Sequence, residues 1–383
     1  MKTSDDHEPR PHSLTKLAER TTRHDLRECR VVTGFDGFVD EMITLVGERR
    51  SLDDFSAVPD IATFASLLAV SAGHSSLREI VVNDVHPGGC AVNVADGLAS
   101  LGVRVDCFAT AGDPVHPAFA LIARKCHGFH SWGSEPGRTL AFEFNDGKLM
   151  FSAGSQLAGF TPAAVRARLA DGVFFQACES AQVIALTDWT MYPHMTAVWR
   201  MLQTEVFSRL DHQPHFFIDL VDPSSRSPQD ILAMAAMLRD FEANGTLTLG
   251  LNGNEANILC RLHGLTECSG SAVMADIGGQ ASSLREALQI FRVVIHRARF
   301  AVSATHGETC MQAVPYCEKP RKNTGAGDRF NAGYCLGLAL GADAAESLAL
   351  ACGVAGFFVR HGHSADKPRL LDFLRAWNEG TVD

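Results

Sequence analysis

Apolar and polar positions repeat in two ways along the chain, and the two ways alternate. Short runs rich in β-branched and aromatic residues predict strands: RVVTGF from Arg30, VRVDCFA from Val103, AQVIALT from Ala181, HFFIDL from His215, TLTLGL from Thr246 and FAVSAT from Phe300. Between them the apolar period becomes helical. Ala91, Val94, Ala95, Leu98 and Ala99 fall at i, i+3, i+4, i+7 and i+8, and Gly102 follows as the expected stop. Residues 14–28, 60–71 and 231–242 read as further helices. Repeated β-α alternation predicts an α/β fold, with a mainly parallel, Rossmann-like sheet covered by helices on both faces. One stretch breaks the pattern. Leu140, Phe142 and Phe144 alternate with Thr139, Ala141 and Glu143, and Asn145-Asp146-Gly147 supplies a turn, so residues 139–152 predict a hairpin. No internal repeat or low-complexity linker divides residues 31–383, which read as one domain with the hairpin as an appendage. Residues 1–30, charged and carrying Pro9 and Pro11, read as an N-terminal extension.

Composition narrows the class. With 46% hydrophobic and 20% charged residues, the 383-residue chain is of ordinary globular type. Its formal charge of −10 gives no global reason to bind nucleic acid or an anionic membrane. The eleven cysteines form no C-x-x-C pair, which fits a reduced, cytoplasmic protein whose thiols are small core residues. The first residues, MKTSDDHEPRPHS, lack the apolar segment of a secretory signal, and no run of about 18 apolar residues suggests a membrane span.

Four stretches carry candidate chemistry. In KNTGAGDRF, the turn Gly325-Ala326-Gly327 has no bulky side chain, so its amides can approach an anion, and the helix that follows points its positive end at the same place. Asp328, in the first turn, suits a general base that deprotonates an attacking hydroxyl while the amides hold a phosphoryl group. In PGGCAVN, Gly88 and Gly89 allow close backbone approach, and Asn93 offers donors and an acceptor to sugar hydroxyls. In GFDGFVD, Asp36 and Asp40 are each placed to accept from a polyol, and Asp36 equally suits an Asx turn. In NGNE, Asn252 and Glu255 suit either the water shell of Mg²⁺ or a helix-capping box.

Taken together, GFDGFVD, PGGCAVNVADGLASLG with the following TAGD, LNGNEANIL and NTGAGDRFNAGYCLGLALG resemble the ribokinase or PfkB family of carbohydrate kinases, in that family's order, from about residue 31 to 369. The resemblance implies a ribokinase-like fold with a small β lid, its strands drawn from about 38–50, 78–87 and 138–153. It implies an ATP- and Mg²⁺-dependent transfer to a hydroxyl of a sugar or related polyol. Asp328 matches the catalytic base and Gly325, Ala326 and Gly327 the anion hole. Asn93, Asp40 or Asp36, Gly88 and Gly89 match the substrate contacts. Asn252 and Glu255 match an element linked to magnesium and phosphate, with Glu255 reaching the metal through water. Thr305 and Gly307 look like a nucleotide contact, and Gly362 lies where the adenine pocket closes. A homodimer formed through the lid is a further expectation of the resemblance.

Three departures matter. Lys322 stands where the family usually has an Asp that in many members helps bind a monovalent cation, so its ammonium is expected to replace potassium. The 48 positions from Asp40 to Gly88 insert a helix near the lid, and Asp36 is an extra carboxylate. A nucleoside kinase is the nearest rival, with Phe142, Phe144, Phe151 and Trp132 available to stack a base. A phosphosugar kinase would need a basic cluster, for which Arg104, Arg138 and Lys148 are candidates. A non-catalytic sugar- or nucleotide-binding regulator is the rival of another class; the retained Asp328 and glycine turn argue against it. No G-x-G-x-x-G opens the first β-α unit and no Walker motif occurs, which disfavours a dehydrogenase and a P-loop NTPase.

Overall fold

The computed structural model describes residues 12–382. Its strands are β1 (Arg30–Phe35), β2 (Phe38–Arg49), β3 (Phe55–Ala57), β4 (Ile80–Gly88), β5 (Arg104–Ala109), β6 (Gly128–Ser131), β7 (Gly137–Phe144), β8 (Gly147–Ala153), β9 (Val183–Thr187), β10 (His215–Asp219), β11 (Thr246–Asn252), β12 (Arg292–His296), β13 (Phe300–Thr305) and β14 (Glu308–Ala313). Nine form one sheet in the order β14-β13-β12-β11-β10-β9-β1-β5-β6. From β12 to β6 every pairing is parallel; β13 and β14 return antiparallel at one edge. β9 is buried along its whole length and β10, β11 and β12 nearly so, as expected of strands covered on both faces.

β2, β3, β4, β7 and β8 form the lid. β2 runs antiparallel to β4 and parallel to β7, and β7 and β8 make the expected hairpin. The inserted helix, Ile61–Val70, is capped by Asp60, whose carboxylate accepts from the Thr63 amide at 2.6 Å. Phe64 of this helix stacks on Phe142 and Phe144. No residue of the helix is fully buried, and Leu68, Val70, Leu77, Val82 and Phe151 leave an apolar outer surface.

The stretch expected as an extension packs as part of the domain over its described portion. In the helix His12–Arg23, Leu17 is fully buried, and Leu14, Leu17, Leu26 and Cys29 join the same apolar cluster as Leu370 and Leu374. Arg20 pairs with Glu346 at 3.4 Å. Residues 1–11 lie outside the described residues. The helices Ala326–Ala339 and Ala344–His361 pack closely enough that a Cβ on Gly333 would meet Ala351 Cα at 2.7 Å. Among the described residues no helix is long and apolar enough to cross a membrane.

Candidate active site

Strand order reverses around β1: β5 and β6 continue to one side, β9 to β12 to the other. A crevice opens at the carboxyl ends of strands where an open α/β sheet reverses in this way. The polar groups of the site are delivered there. Asp36 follows β1, Asp188 follows β9, Asp219 ends β10, Asn252 ends β11 and His296 ends β12.

Asp36 and Asp40, interchangeable in the sequence, separate in the structure. Asp36 is only 1% exposed. Its carboxylate accepts the amides of Cys90 and Ala91, the latter at 2.8 Å, and the Thr187 hydroxyl at 2.6 Å. It therefore holds the start of the helix Cys90–Ser100 against the sheet and is not placed to receive a polyol, which corrects its candidacy as a substrate contact. Asp40 instead lines a cavity of about 570 Å³ beneath the lid, with Asn93, Lys148, Lys322 and Arg329 among its walls. Burial pushes the Asp40 carboxyl up, opposed by a hydrogen bond from Thr139 and by Lys148, His86 and Lys322. Asp40 and Asp36 leave no room for a side chain at Gly88 and Gly89. A Cβ on Gly88 would stand 2.5 Å from Asp40 Oδ1, and Gly89 has φ +98° with Asp36 backbone oxygen 2.8 Å from where a Cβ would be.

Asp328 sits at the first turn of Ala326–Ala339 and is buried. Asn93 Nδ2 donates to its Oδ2 at 2.9 Å. Burial raises its pKa to about 7, with Arg329 pulling down, Asp219 pushing up, a thiol hydrogen bond from Cys90 pulling down and Asp36 pushing up. Gly325, at φ +86°, turns the chain into the helix, and a Cβ there would lie 3.1 Å from the Arg329 guanidinium. The Ala326 amide donates to Asn323 oxygen at 3.0 Å. Its expected share in the anion hole is thus taken by the turn, and the first-turn amides of Gly327 and Asp328 remain to face an anion. Arg329 braces the turn: it donates to Asp96 at 2.8 Å, and its guanidinium lies 4.6 Å over the Phe358 ring.

A second cavity, of about 460 Å³, lies on the other side of the same turn and shares Pro320 and Asn323 with the first. Gly327, His296, Arg297, Tyr316 and Val359 are among its walls. His296 would meet a Cβ on Gly327 at 3.4 Å, and burial pulls its pKa down. Thr305 and Gly307 are not here. β13 runs antiparallel to β12, so Ala301 sits beside His296 while Ala304 is already level with Val293. Thr305 is roughly 14 Å further along, at the amino edge of the sheet, and Gly307 turns the β13-β14 hairpin. Their assignment as nucleotide contacts is corrected: FAVSAT is the returning strand, and the wall comes from the preceding run RVVIH, whose end presents His296 and Arg297. Gly362 caps Ala344–His361 at φ +76°, about one turn beyond the wall residue Val359.

Asn252 and Glu255 form a capping box. Asn252 Oδ1 accepts the Glu255 amide at 3.0 Å, and the two Glu255 oxygens accept from Asn252 N at 2.8 Å and Nδ2 at 2.7 Å. Burial first, then Asp219, pushes the Glu255 carboxyl well up. Among the described residues no three His, Cys, Asp or Glu side chains form a metal cage. Lys322 projects to the cavity beneath the lid, where burial and the neighbouring Arg329 and Lys148 lower its pKa, against Asp40.

A model of the prokaryotic ketohexokinase family matches residues 11–377. The chain belongs to that family. It is a carbohydrate kinase of the ribokinase type, an ATP-dependent phosphotransferase with an alcohol group as acceptor. Ketohexokinase of Haloferax volcanii is 29% identical over 381 residues, spanning 97% of this chain and 98% of that protein. Arabidopsis thaliana ribokinase, solved with ribose and ATP, superposes with a TM-score of 0.62 at 15% identity, over 91% of this chain and 98% of that one. Thermotoga maritima ribokinase gives 0.61 at 14% identity, over 91% and 99%. At such identities the two solved structures speak for the ribokinase fold alone.

Proposed function

We propose that the chain transfers the γ-phosphoryl group of ATP to a hydroxyl of a ketohexose, with Asp328 as general base. One observation carries this reading. Asp328 lies between residues of the two cavities: Gly327, before it, lines the second, while Arg329, after it, and Asn93, which donates to its carboxylate, line the first, so an acceptor beneath the lid and a nucleotide on the far side would meet at this turn. Asp40 and Asn93 hold the sugar's hydroxyls on the lid side. Asp328 takes the proton of the attacking hydroxyl as its oxygen bonds to the γ-phosphorus, the bond from phosphorus to the β-γ bridging oxygen breaks, and ADP leaves. The Gly327 and Asp328 amides face the charge on the transferring group. Asp219 and Asp222 both act electrostatically on Glu255, and these carboxylates, which among the described residues form no direct metal cage, would hold a divalent ion through its water shell. A Mg²⁺ ion held there would supply charge neutralisation.

The rings counted for a nucleoside acceptor are otherwise engaged. Trp132 is core, stacked on Phe35 at 5.2 Å. Phe142 and Phe151 pack together, with Phe64 stacked on Phe142 and on Phe144, which also lines the cavity. The basic candidates for a phosphosugar also disperse. Arg104 starts β5 at the opposite edge of the sheet, Arg138 pairs with Glu41 at 2.6 Å, and Lys148, though in the cavity, pairs with Glu143 at 3.1 Å. A neutral sugar fits this balance.

The test is ADP release from ATP and Mg²⁺ against ketohexoses, aldohexoses, pentoses, hexose phosphates and nucleosides. Turnover greatest on a ketohexose is expected, and a preference for a nucleoside or phosphosugar would overturn the acceptor assignment. The same assay run with and without K⁺ is expected to differ by less than about twofold, because the Lys322 ammonium supplies a fixed positive charge beside the turn. Strong activation by K⁺ would refute that role. The apolar outer face of the lid supports the homodimer implied by the resemblance. Sedimentation should then show a dimer, and Leu68→Asp with Val70→Asp should yield a monomer; a monomeric wild type removes the proposal.

A further inference from the structure

The proposed mechanism joins Asn93 to Asp328, and these lie on two helices, Cys90–Ser100 and Ala326–Ala339. The same two helices are joined a second time, by a pair the mechanism does not use. Asp96 follows Asn93 by three positions and so shares its helix face, and Arg329 directly follows Asp328. Arg329 Nη2 donates to Asp96 Oδ2 at 2.8 Å. The two side chains are 8% and 19% exposed, so this ion pair is largely buried. Its other polar atoms are engaged as well. Arg329 Nε donates to Ser364 Oγ at 3.2 Å, Ser364 Oγ donates to Asp96 Oδ2 at 2.6 Å, and Lys125 Nζ donates to Asp96 Oδ1 at 2.7 Å. A Cβ on Gly325 would lie 3.1 Å from Arg329 Nη1, so the guanidinium also supports the turn that carries Asp328. Beside Asp96 the helices touch: a Cβ on Gly97 would stand 2.7 Å from Ala332 Cβ. Asp96 lines neither cavity, and Arg329 lines only the one beneath the lid.

We propose that Asp96 and Arg329 are positioning residues for the phosphoryl transfer. Their ion pair fixes the helix Cys90–Ser100 against the helix Ala326–Ala339, so that Asn93 and the sugar it holds stand at a set distance from the Asp328 carboxylate. The proposal rests on the reading of Asp328 as base and Asn93 as an acceptor contact. One amide-to-carboxylate hydrogen bond leaves two helices free to slide and roll. A second link a turn away, made by a planar guanidinium with two of its nitrogens bonded, removes that freedom. The benefit falls on the transfer itself, because a displacement of about 1 Å between reacting groups costs about 100-fold in rate. The pair also joins the turn to Ser364, in the segment after the helix Ala344–His361, so the base is referred to three parts of the fold at once.

The experiment is a double-mutant cycle on wild type, Asp96→Asn, Arg329→Met and the double variant, with D-fructose as the ketohexose. It reads kcat/KM for fructose, the Kd for ATP and Tm. Rates are taken from the pH-independent plateau, so that a change in the charge of Asp328 does not enter, and well below each Tm, so that loss of folded protein does not enter. Each single variant should lose about 10- to 100-fold in kcat/KM, with the Kd for ATP within about threefold of wild type. The double variant should be no worse than the worse single one, because both remove the same link. Arg329→Lys, which keeps the charge without the planar fork, should recover part of the loss. A pair that merely stabilises the fold would lower Tm and leave kcat/KM intact. That result, or losses that multiply in the double variant, would overturn the proposal. Should Arg329→Met not fold, the cycle with Arg329→Lys in its place decides. Failure of the underlying reading looks different: Asp328→Asn would then keep wild-type turnover, whatever the cycle shows.

Discussion

Asp328→Asn is expected to lower kcat by about 10³-fold while leaving ATP binding within about twofold, measured by ADP release and by calorimetry. The amide keeps the shape of the carboxylate and can still meet Asn93, but it takes no proton from a hydroxyl. The variant should also be more stable than wild type, and the sign of the pH dependence makes this specific. The folded carboxyl holds its proton up to about pH 7, whereas a free Asp releases it near 3.8. Between those values the folded state binds more protons than the unfolded one, so the contribution of Asp328 to stability falls as pH rises. Asn carries no such penalty. The gap in Tm between Asp328→Asn and wild type should be smallest at pH 4 and reach its full size above pH 7. A variant inactive but unchanged in its pH–stability profile would mean that Asp328 does not titrate near 7. A variant that remains active would remove it as the base.

This coupling of lost stability to function explains which parts of the site were legible in the sequence. The turn NTGAGD could be read because several local rules agree on it: small residues, a helix start and a carboxylate in the first turn. The mainly parallel sheet was legible for a similar reason, since buried parallel strands are continuous apolar runs. The run RVVIH was harder. It has only five residues before the polar Arg297-Ala298-Arg299, and FAVSAT soon after is the more conspicuous strand. The likeness of ATHG to the family's nucleotide-contact motif placed Thr305 and Gly307 on the nucleotide, whereas the antiparallel pairing of FAVSAT sends them to the far edge. Direction within a sheet is a tertiary property that a single apolar run does not encode. Arg329 and Phe358 were missed for a related reason. Their packing joins the site's turn to another helix 29 positions away, and nothing local marks it. The alternation did carry one usable signal: a positively charged run directly after a buried strand, as at Arg297, lies at the carboxyl end where anions bind.

The two carboxylates of GFDGFVD should fail in different ways, and the difference tests the placement of the whole crevice. Asp40→Ala should raise KM for the sugar by about 10- to 100-fold, the loss of hydrogen bonds to a charged acceptor, with Tm little changed. Its carboxylate lines the cavity, next to Gly88. Asp36→Ala should instead destabilise the fold by about 3–5 kcal/mol, because it strands two amides and the Thr187 hydroxyl in a buried environment. The damage is then inherited by catalysis through geometry. Those amides begin the helix that carries Asn93, and Asn93 is what touches Asp328. Asp36→Asn should be milder than Asp36→Ala, since an amide oxygen can still accept from one or two of the three donors. An Asp36→Ala protein of normal Tm with a raised sugar KM would exchange the roles of the two residues and move the acceptor toward the sheet. The expected outcome is a stability defect from one and an affinity defect from the other, four residues apart.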